Sequence, residues 1–250
     1  MRITKKFFPS LRLRRKPPGN RLVRRALPAN TWETSMKTSG LALALLSSAA
    51  FAAPASAQSI AALVGNDTVS TIDVAARKVT KSVKITGVNG KLLGIDVRPA
   101  DGMLYGLSSD GSVVTIDLAT GKATAKSKLD NMLPAGVAGA IDFNPVADRL
   151  RVIGEDGTNL RVNVDDGKTA VDMKLKYSEG DANKSAMPKV VAAGYTNSVK
   201  GAKETTLYDI DATIGGLARQ APPNDGVLNT IGKFGVSATS WAFEIGRAHV

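Results

Sequence analysis

The middle of the chain repeats itself at a spacing of 46 residues. A self-similar unit of that size restricts the fold more tightly than any composition figure. Gly94-Ile95-Asp96-Val97-Arg98-Pro99 is followed by Leu104, Asp110-Gly111, Thr115-Ile116-Asp117 and Gly121-Lys122. In the same register, without a gap, come Ala140-Ile141-Asp142-Phe143-Asn144-Pro145, then Leu150, Asp156-Gly157, Val162-Asn163 and Gly167-Lys168. Two fainter copies flank them, Thr71-Ile72-Asp73 upstream and Leu207-Tyr208-Asp209-Ile210-Asp211 downstream.

Each unit reads as strands between turns. Strands are predicted over 92–97, 103–107, 113–118 and 123–129, parted by Pro99-Ala100-Asp101-Gly102, Asp110-Gly111 and Thr120-Gly121-Lys122. Asp-Gly marks a hairpin because the turn needs positive φ, which glycine adopts without a Cβ clash. Helical periodicity is nowhere sustained. Four short strands in about 46 residues is the size of one propeller blade. The expected fold is therefore all-β, a β-propeller of four-stranded antiparallel blades. The first unit lacks its opening strand, and the stretch from Gly235 begins a further one. The ring is accordingly expected to be incomplete, with unpaired strand edges. Two longer connections, 174–188 and 220–226, are polar and expected to be exposed.

The ends read differently from the body. Eleven of the 33 Lys+Arg and one of the 22 Asp+Glu lie before Gln58, so the formal net charge of +11 falls to +1 from Gln58 onward. The body thus lacks the basic field that gripping nucleic acid requires. Residues 1–35 are a basic, proline-broken extension that is not expected to pack, and translation is expected to start at Met36. Residues 36–57 run from Met36-Lys37 through an apolar stretch to Pro54-Ala55-Ser56-Ala57, the order of a secretory signal cleaved before Gln58. The apolar run is 13 residues, short of the roughly 20 that span a bilayer, so no retained membrane span is expected. A periplasmic or secreted location follows. Residues 58–244 form the repeat domain. Residues 245–250 match one reading frame of a sequencing-library adapter, so His249, the only histidine, is expected to be foreign and the natural protein to continue differently.

The run Leu92-Leu93-Gly94-Ile95-Asp96-Val97-Arg98-Pro99-Ala100-Asp101-Gly102-Met103-Leu104-Tyr105-Gly106-Leu107 resembles the family catalogued as domain of unknown function 4394. So do Asp142-Phe143-Asn144-Pro145-Val146-Ala147-Asp148-Arg149-Leu150-Arg151-Val152, Gly180-Asp181-Ala182-Asn183 and Pro222-Pro223-Asn224-Asp225-Gly226, in the family's order. The resemblance implies a bacterial, typically exported, propeller-like repeat protein. It carries over no catalytic or binding residue.

Chemistry is bounded by what is missing. With no Cys, disulfides, thiolate metal sites and cysteine nucleophiles are excluded. With His249 set aside, imidazole base chemistry goes too. Gly167-Lys168-Thr169 lacks the earlier glycine of a phosphate loop, because position 162 is Val. The recurring acids Asp96 and Asp142 are the sharpest candidates. If the opening strands line a central channel, these two could face one another with Arg98 and Asn144 nearby, an oxygen-rich site for a polar ligand or Ca²⁺. Against that, each Asp could simply bond neighbouring backbone amides, and recurrence in both strong repeats favours that structural role. No cofactor is otherwise indicated. Asp165-Asp166-Gly167 and Asp181 with Asn183 lack the surrounding ligands of a Ca²⁺ loop. The aromatics are spread as core filler rather than as a stacking platform. Two functions remain. One is a non-enzymatic module that binds a ligand or scaffolds an envelope protein. The other is a carboxylate-metal hydrolase of the lactonase type.

Overall fold

The computed structural model describes residues 59–236, 238 and 240–245. The basic extension, the signal-like segment and all of the adapter-like tail except Ile245 lie outside the described residues.

The described residues form four small sheets arranged as the blades of a β-propeller, with no α-helix among them. Blade one has three strands, β1 (Ser59–Val64), β2 (Thr68–Asp73) and β3 (Lys78–Lys84), in that spatial order. Blade two is β4 (Leu92–Val97), β5 (Leu104–Ser108), β6 (Ser112–Ile116) and β7 (Ala123–Lys128), a four-stranded antiparallel meander. Blade three repeats it with β8 (Gly139–Asn144), β9 (Arg149–Gly154), β10 (Asn159–Val162) and β11 (Thr169–Val171). The strands of blade two lie within a residue or two of their predicted bounds. That follows because Gly102, Gly111 and Gly121, which punctuate them, all adopt positive φ.

Blade four departs from the pattern. Its meander is β13 (Val190–Tyr195), β14 (Leu207–Asp211), β15 (Gly216–Gln220) and β16 (Val227–Lys233). A fifth strand, β12 (Lys176–Tyr177), pairs in parallel with the start of β16. The stretch 174–188 is thus no plain exposed connection. Tyr177 is buried and its hydroxyl donates to the Asp211 carboxylate at 2.5 Å, while Asp181 accepts the Thr230 amide at 2.6 Å. The second expected loop also has structure, since Gln220 is buried at the end of β15 and Pro223–Asp225 form a 3-10 turn.

Strand alternation gives the blades apolar faces, and three clusters bury these between successive blades. Val69 and Ile85 of the first unit pack on Leu92, Leu104 and Ile116. Tyr105, Leu107 and Val113 meet Phe143, Leu150 and Val152, with the Tyr105 and Phe143 rings edge to face at 5.4 Å. Ile153 joins Val190, Tyr195, Leu207 and Leu228 in the third cluster. At about 1.5–3 kcal/mol per large apolar side chain, contacts between units rather than within them stabilise the ring.

The recurring Gly-Lys pairs serve the same joints. Gly121 and Gly167 sit at φ 75° and 78°. A Cβ on either would overlap the carbonyl oxygen of Lys84 or Lys128, at the end of the preceding blade's outer strand. Their own carbonyls accept the amides of Thr86 at 3.0 Å and Asp130 at 3.2 Å. The motif is a blade-to-blade contact, in keeping with its failure as a phosphate loop.

Candidate functional site

The opening strands β4, β8 and β13 lie side by side around the axis. Asp96 on β4 accepts the Phe143 amide of β8 at 2.7 Å and the Val97 amide at 2.6 Å. Asp142 on β8 accepts the Tyr195 amide of β13 at 2.9 Å. Each acid therefore bonds the next opening strand one residue beyond its own equivalent position. Backbone amides hold these acids as expected, that of Val97 being a neighbour on the same strand and those of Phe143 and Tyr195 belonging to the following blade.

The equivalent slot of β13 is Gly194, where a Cβ would stand 3.2 Å from Phe243 and Ile245. The segment containing these two residues brings Glu244 to the axis. One oxygen each from Asp96, Asp142 and Glu244 lies within 4.8 Å of the others. Asp96 is 8% and Asp142 5% exposed, while Glu244 is open to solvent. Burial, with the nearby Glu244 charge adding to it, pushes Asp96 up to about 7 despite the two amides that favour its anion. Burial and then the charge of Asp96 drive Asp142 well above the usual carboxylate range. Although much of Glu244 faces solvent, the protein packed around its carboxyl strips enough water from it to raise it as well. None of the ion pairs among the described residues includes these three acids. Arg151 is the cross-strand partner of Asp142, yet gives its guanidinium to Asp172, Asn159, Asn224 and Tyr195. Converging carboxylates without a cation either hold protons or bind a hard divalent ion through oxygen.

Two cavities flank the cluster. One of about 350 Å³ is lined by β1, the opening strands and residues 241–244, with Ile60, Leu93, Ile141 and Trp241 giving it an apolar wall. The other, of about 210 Å³, is lined by Ser59, Asp96, Pro99, Ser198 and Glu244.

The structure brings together only two of the four expected site residues. Arg98 turns to blade three, where it grips Asp148 through Nε at 2.8 Å and Nη2 at 2.6 Å and reaches Asp165 at 2.9 Å. Those bonds hold its guanidinium firmly protonated and Asp165 down at about 2. Asn144 accepts the amides of Val146 and Ala147 at 2.9 Å, closing the turn after β8. Both are corrections with one cause. They follow the strands' last inward residues, where the chain is already turning away from the axis. Glu244 was missed, although Phe243-Glu244-Ile245 places an acid between apolar residues as Ile141-Asp142-Phe143 does.

The fold and these acids define a four-bladed β-propeller with an acidic axis. The sequence matches the model of the family described as Domain of unknown function (DUF4394) over residues 68–249, and the chain belongs to that family. Among solved structures it is similar to a protein of unknown function from Bacteroides caccae, at 14% identity and a TM-score of 0.41, covering 71% of this chain and 58% of that one. It is also similar to the computationally designed Ika8 protein, at 13% identity and a TM-score of 0.35, covering 66% of this chain and 45% of that one. The chain thus spans little more than half the length of the first and less than half of the second. No curated protein matches it.

Proposed function

We propose that this chain is a non-enzymatic binding or scaffolding module of the bacterial envelope. The observation that carries this reading is the use made of the interior's largest polar groups. Arg98 ties blade two to Asp148 and Asp165 of blade three, and Arg151 ties blade three to Asn224 and Tyr195 of blade four. Such bonds fix blades two, three and four to one another, and a stiff scaffold beside an axial hollow suits recognition of a partner or ligand without rearrangement. Placement in the envelope rests on the order of residues 36–57. Recovery from the periplasmic fraction with Gln58 as first residue supports it, and a cytoplasmic product that keeps residues 36–57 refutes it.

A second reading, a carboxylate-metal hydrolase of the lactonase type, is favoured by the convergence of Asp96, Asp142 and Glu244. Thermal melts with Ca²⁺, Mg²⁺ or Zn²⁺ against EDTA separate the two. An ion at a hundred times its Kd adds about 2.7 kcal/mol of stability, which a melt resolves. No shift with any of the three eliminates the hydrolase. A shift accompanied by lactone hydrolysis that Asp142→Asn abolishes would overturn the non-enzymatic reading.

A further inference from the structure

Three arginines share the face of blade three that is turned to blade four. Arg149 and Arg151 are two apart on β9, so alternation sends them to one side. Arg161 of β10 is the direct cross-strand partner of Arg151, and Asn144 of β8 that of Arg149. Like charges directly opposite on a ladder repel. Asp172 relieves one pair, accepting from Arg151 Nη1 at 2.6 Å and from Arg161 Nε at 2.7 Å and Nη2 at 2.9 Å. Arg149 has no carboxylate among the described residues. Its Nη1 donates to the main-chain oxygens of Asp148 at 2.8 Å and Ala147 at 3.5 Å. Three guanidiniums that never lose their charge therefore share a single paired carboxylate.

These side chains, with Asn144, Tyr195 and Asn224, line a cavity of about 210 Å³ between the two blades. Arg151 is 2% exposed there, fixed by bonds to its neighbours. What remains unused is of one kind. Arg149 keeps Nε and Nη2 free, Arg161 keeps Nη1, and the amide nitrogens of Asn144 and Asn224 have no acceptor among the described residues. All are donors. Arg149 and Arg161 also border an adjoining depression lined by Lys168, Thr169 and Asp130, whose carboxylate already accepts the Thr169 amide.

We propose that this cavity binds a phosphate group, free or esterified, through Arg149 and Arg161 against the fixed Arg151. A concave, donor-only surface of net positive charge recognises oxyanions, and guanidinium forks pair two oxygens at a time. Donors on three strands and a loop outnumber the oxygens of a carboxylate, whereas a tetrahedral anion presents oxygens in several directions. The site shares no lining residue with the axial cavity of about 350 Å³, so its failure leaves the reading of the axis standing.

The test is calorimetric titration of the full chain with inorganic phosphate, and separately with glycerol phosphate and acetate, at matched ionic strength in NaCl. Saturable one-site binding of phosphate is expected, with acetate much weaker, and the phosphomonoester arm tells free from esterified ligand. Arg149→Gln removes a cation that holds only main-chain carbonyls, so its melting temperature without phosphate should equal that of the wild type. Its phosphate affinity should fall about tenfold or more, the usual worth of a charge-assisted contact. Arg149→Lys, which keeps the charge and loses the fork, should fall between them. Absence of saturable phosphate binding in the millimolar range, acetate bound as tightly as phosphate, or a folded Arg149→Gln with unchanged affinity each overturns the proposal.

Discussion

Replacing Asp96 by Asn should change the sign of its effect on stability between acid and neutral pH. The carboxyl is held at about 7 in the folded chain against an ordinary 3.8. The folded state therefore binds this proton more tightly than the unfolded state does, and stability falls as pH rises through that window. Below pH 3.8 both states are protonated and nothing is lost. Above about 7 both are ionised and the loss levels off. At about 1.4 kcal/mol per pH unit, the whole window costs about 4 kcal/mol. Asparagine never titrates, so it avoids that loss. In exchange, its NH₂ cannot accept, and one of the amides of Val97 and Phe143 loses its acceptor, a penalty of about 1–3 kcal/mol at every pH. The variant should then be less stable than the wild type near pH 4 and more stable at pH 7.5, because 4 exceeds the penalty. Relief of Asp142 from a neighbouring negative charge acts in the same direction. Urea unfolding at a series of pH values in EDTA measures the difference. A stability gap that does not vary with pH, or one that favours the wild type more as pH rises, refutes the reasoning.

Two further outcomes follow from the same physics. Gly167→Ala places a Cβ on the Lys128 carbonyl at φ 78° and should destabilise by roughly 2 kcal/mol or more, whereas Gly180→Ala, with nothing within 4 Å, should stay within about 0.5 kcal/mol. Equal melting temperatures for the two would refute the blade-contact role of Gly167. Asp209 is 0% exposed, neither of its carboxylate oxygens has a partner, and burial drives it well above the usual range. Asp209→Asn should therefore lose less stability than the wild type as pH rises from 4, the gap between them growing by up to about 1.4 kcal/mol per unit while Asp96 and Asp142 titrate in both. Parallel pH profiles for the two proteins would show that Asp209 does not take up a proton on folding.

What the sequence revealed depended on how local each signal was. Blade two was legible almost to the residue because its turns are set by Asp110-Gly111 and Gly121-Lys122 and its strands by alternation, all within one repeat. Blade four was faint for two reasons. Gly194 stands where the other opening strands carry an acid, and its outer edge is completed by Lys176–Tyr177, which precedes it in the chain and pairs in parallel. A parallel two-residue pairing leaves no periodic trace. Asp96 and Asp142 could be brought together from the repeat alone, since equal positions in equal units face a common axis. Arg98 and Asn144 were drawn in by adjacency along the chain, which a strand end does not respect. Nothing along the chain links Arg149, Arg151 and Arg161 to one another. Only the cross-strand register between β9 and β10 makes them one cluster.

The polar residues of this ring fall into two populations, and the contrast bears on where a ligand would act. Between blades, Arg98 with Asp148 and Asp165 is opposite in sign and bonded at 2.6 to 2.9 Å. Groups so satisfied stabilise the scaffold and have little to offer a visitor. At the axis, and at the cavity beside Arg149, charge of one sign is gathered with too few partners. At the axis, burying unpaired charge costs several kcal/mol, and a fold held only for stability would gain by losing it, whereas the half-buried Arg149 carries no such cost. Asp142→Asn is open to the chain at the level of shape, since the two side chains are nearly the same size. Local frustration of this kind marks positions where a bound species supplies the missing charge. The two sites gather opposite charge, acids at Asp96, Asp142 and Glu244 that take protons or a cation, and guanidiniums at Arg149 and Arg161 that suit an oxyanion. Phosphate should therefore stabilise Asp142→Asn as much as the wild type, and any shift that a divalent ion gives the wild type should be the same in Arg149→Gln.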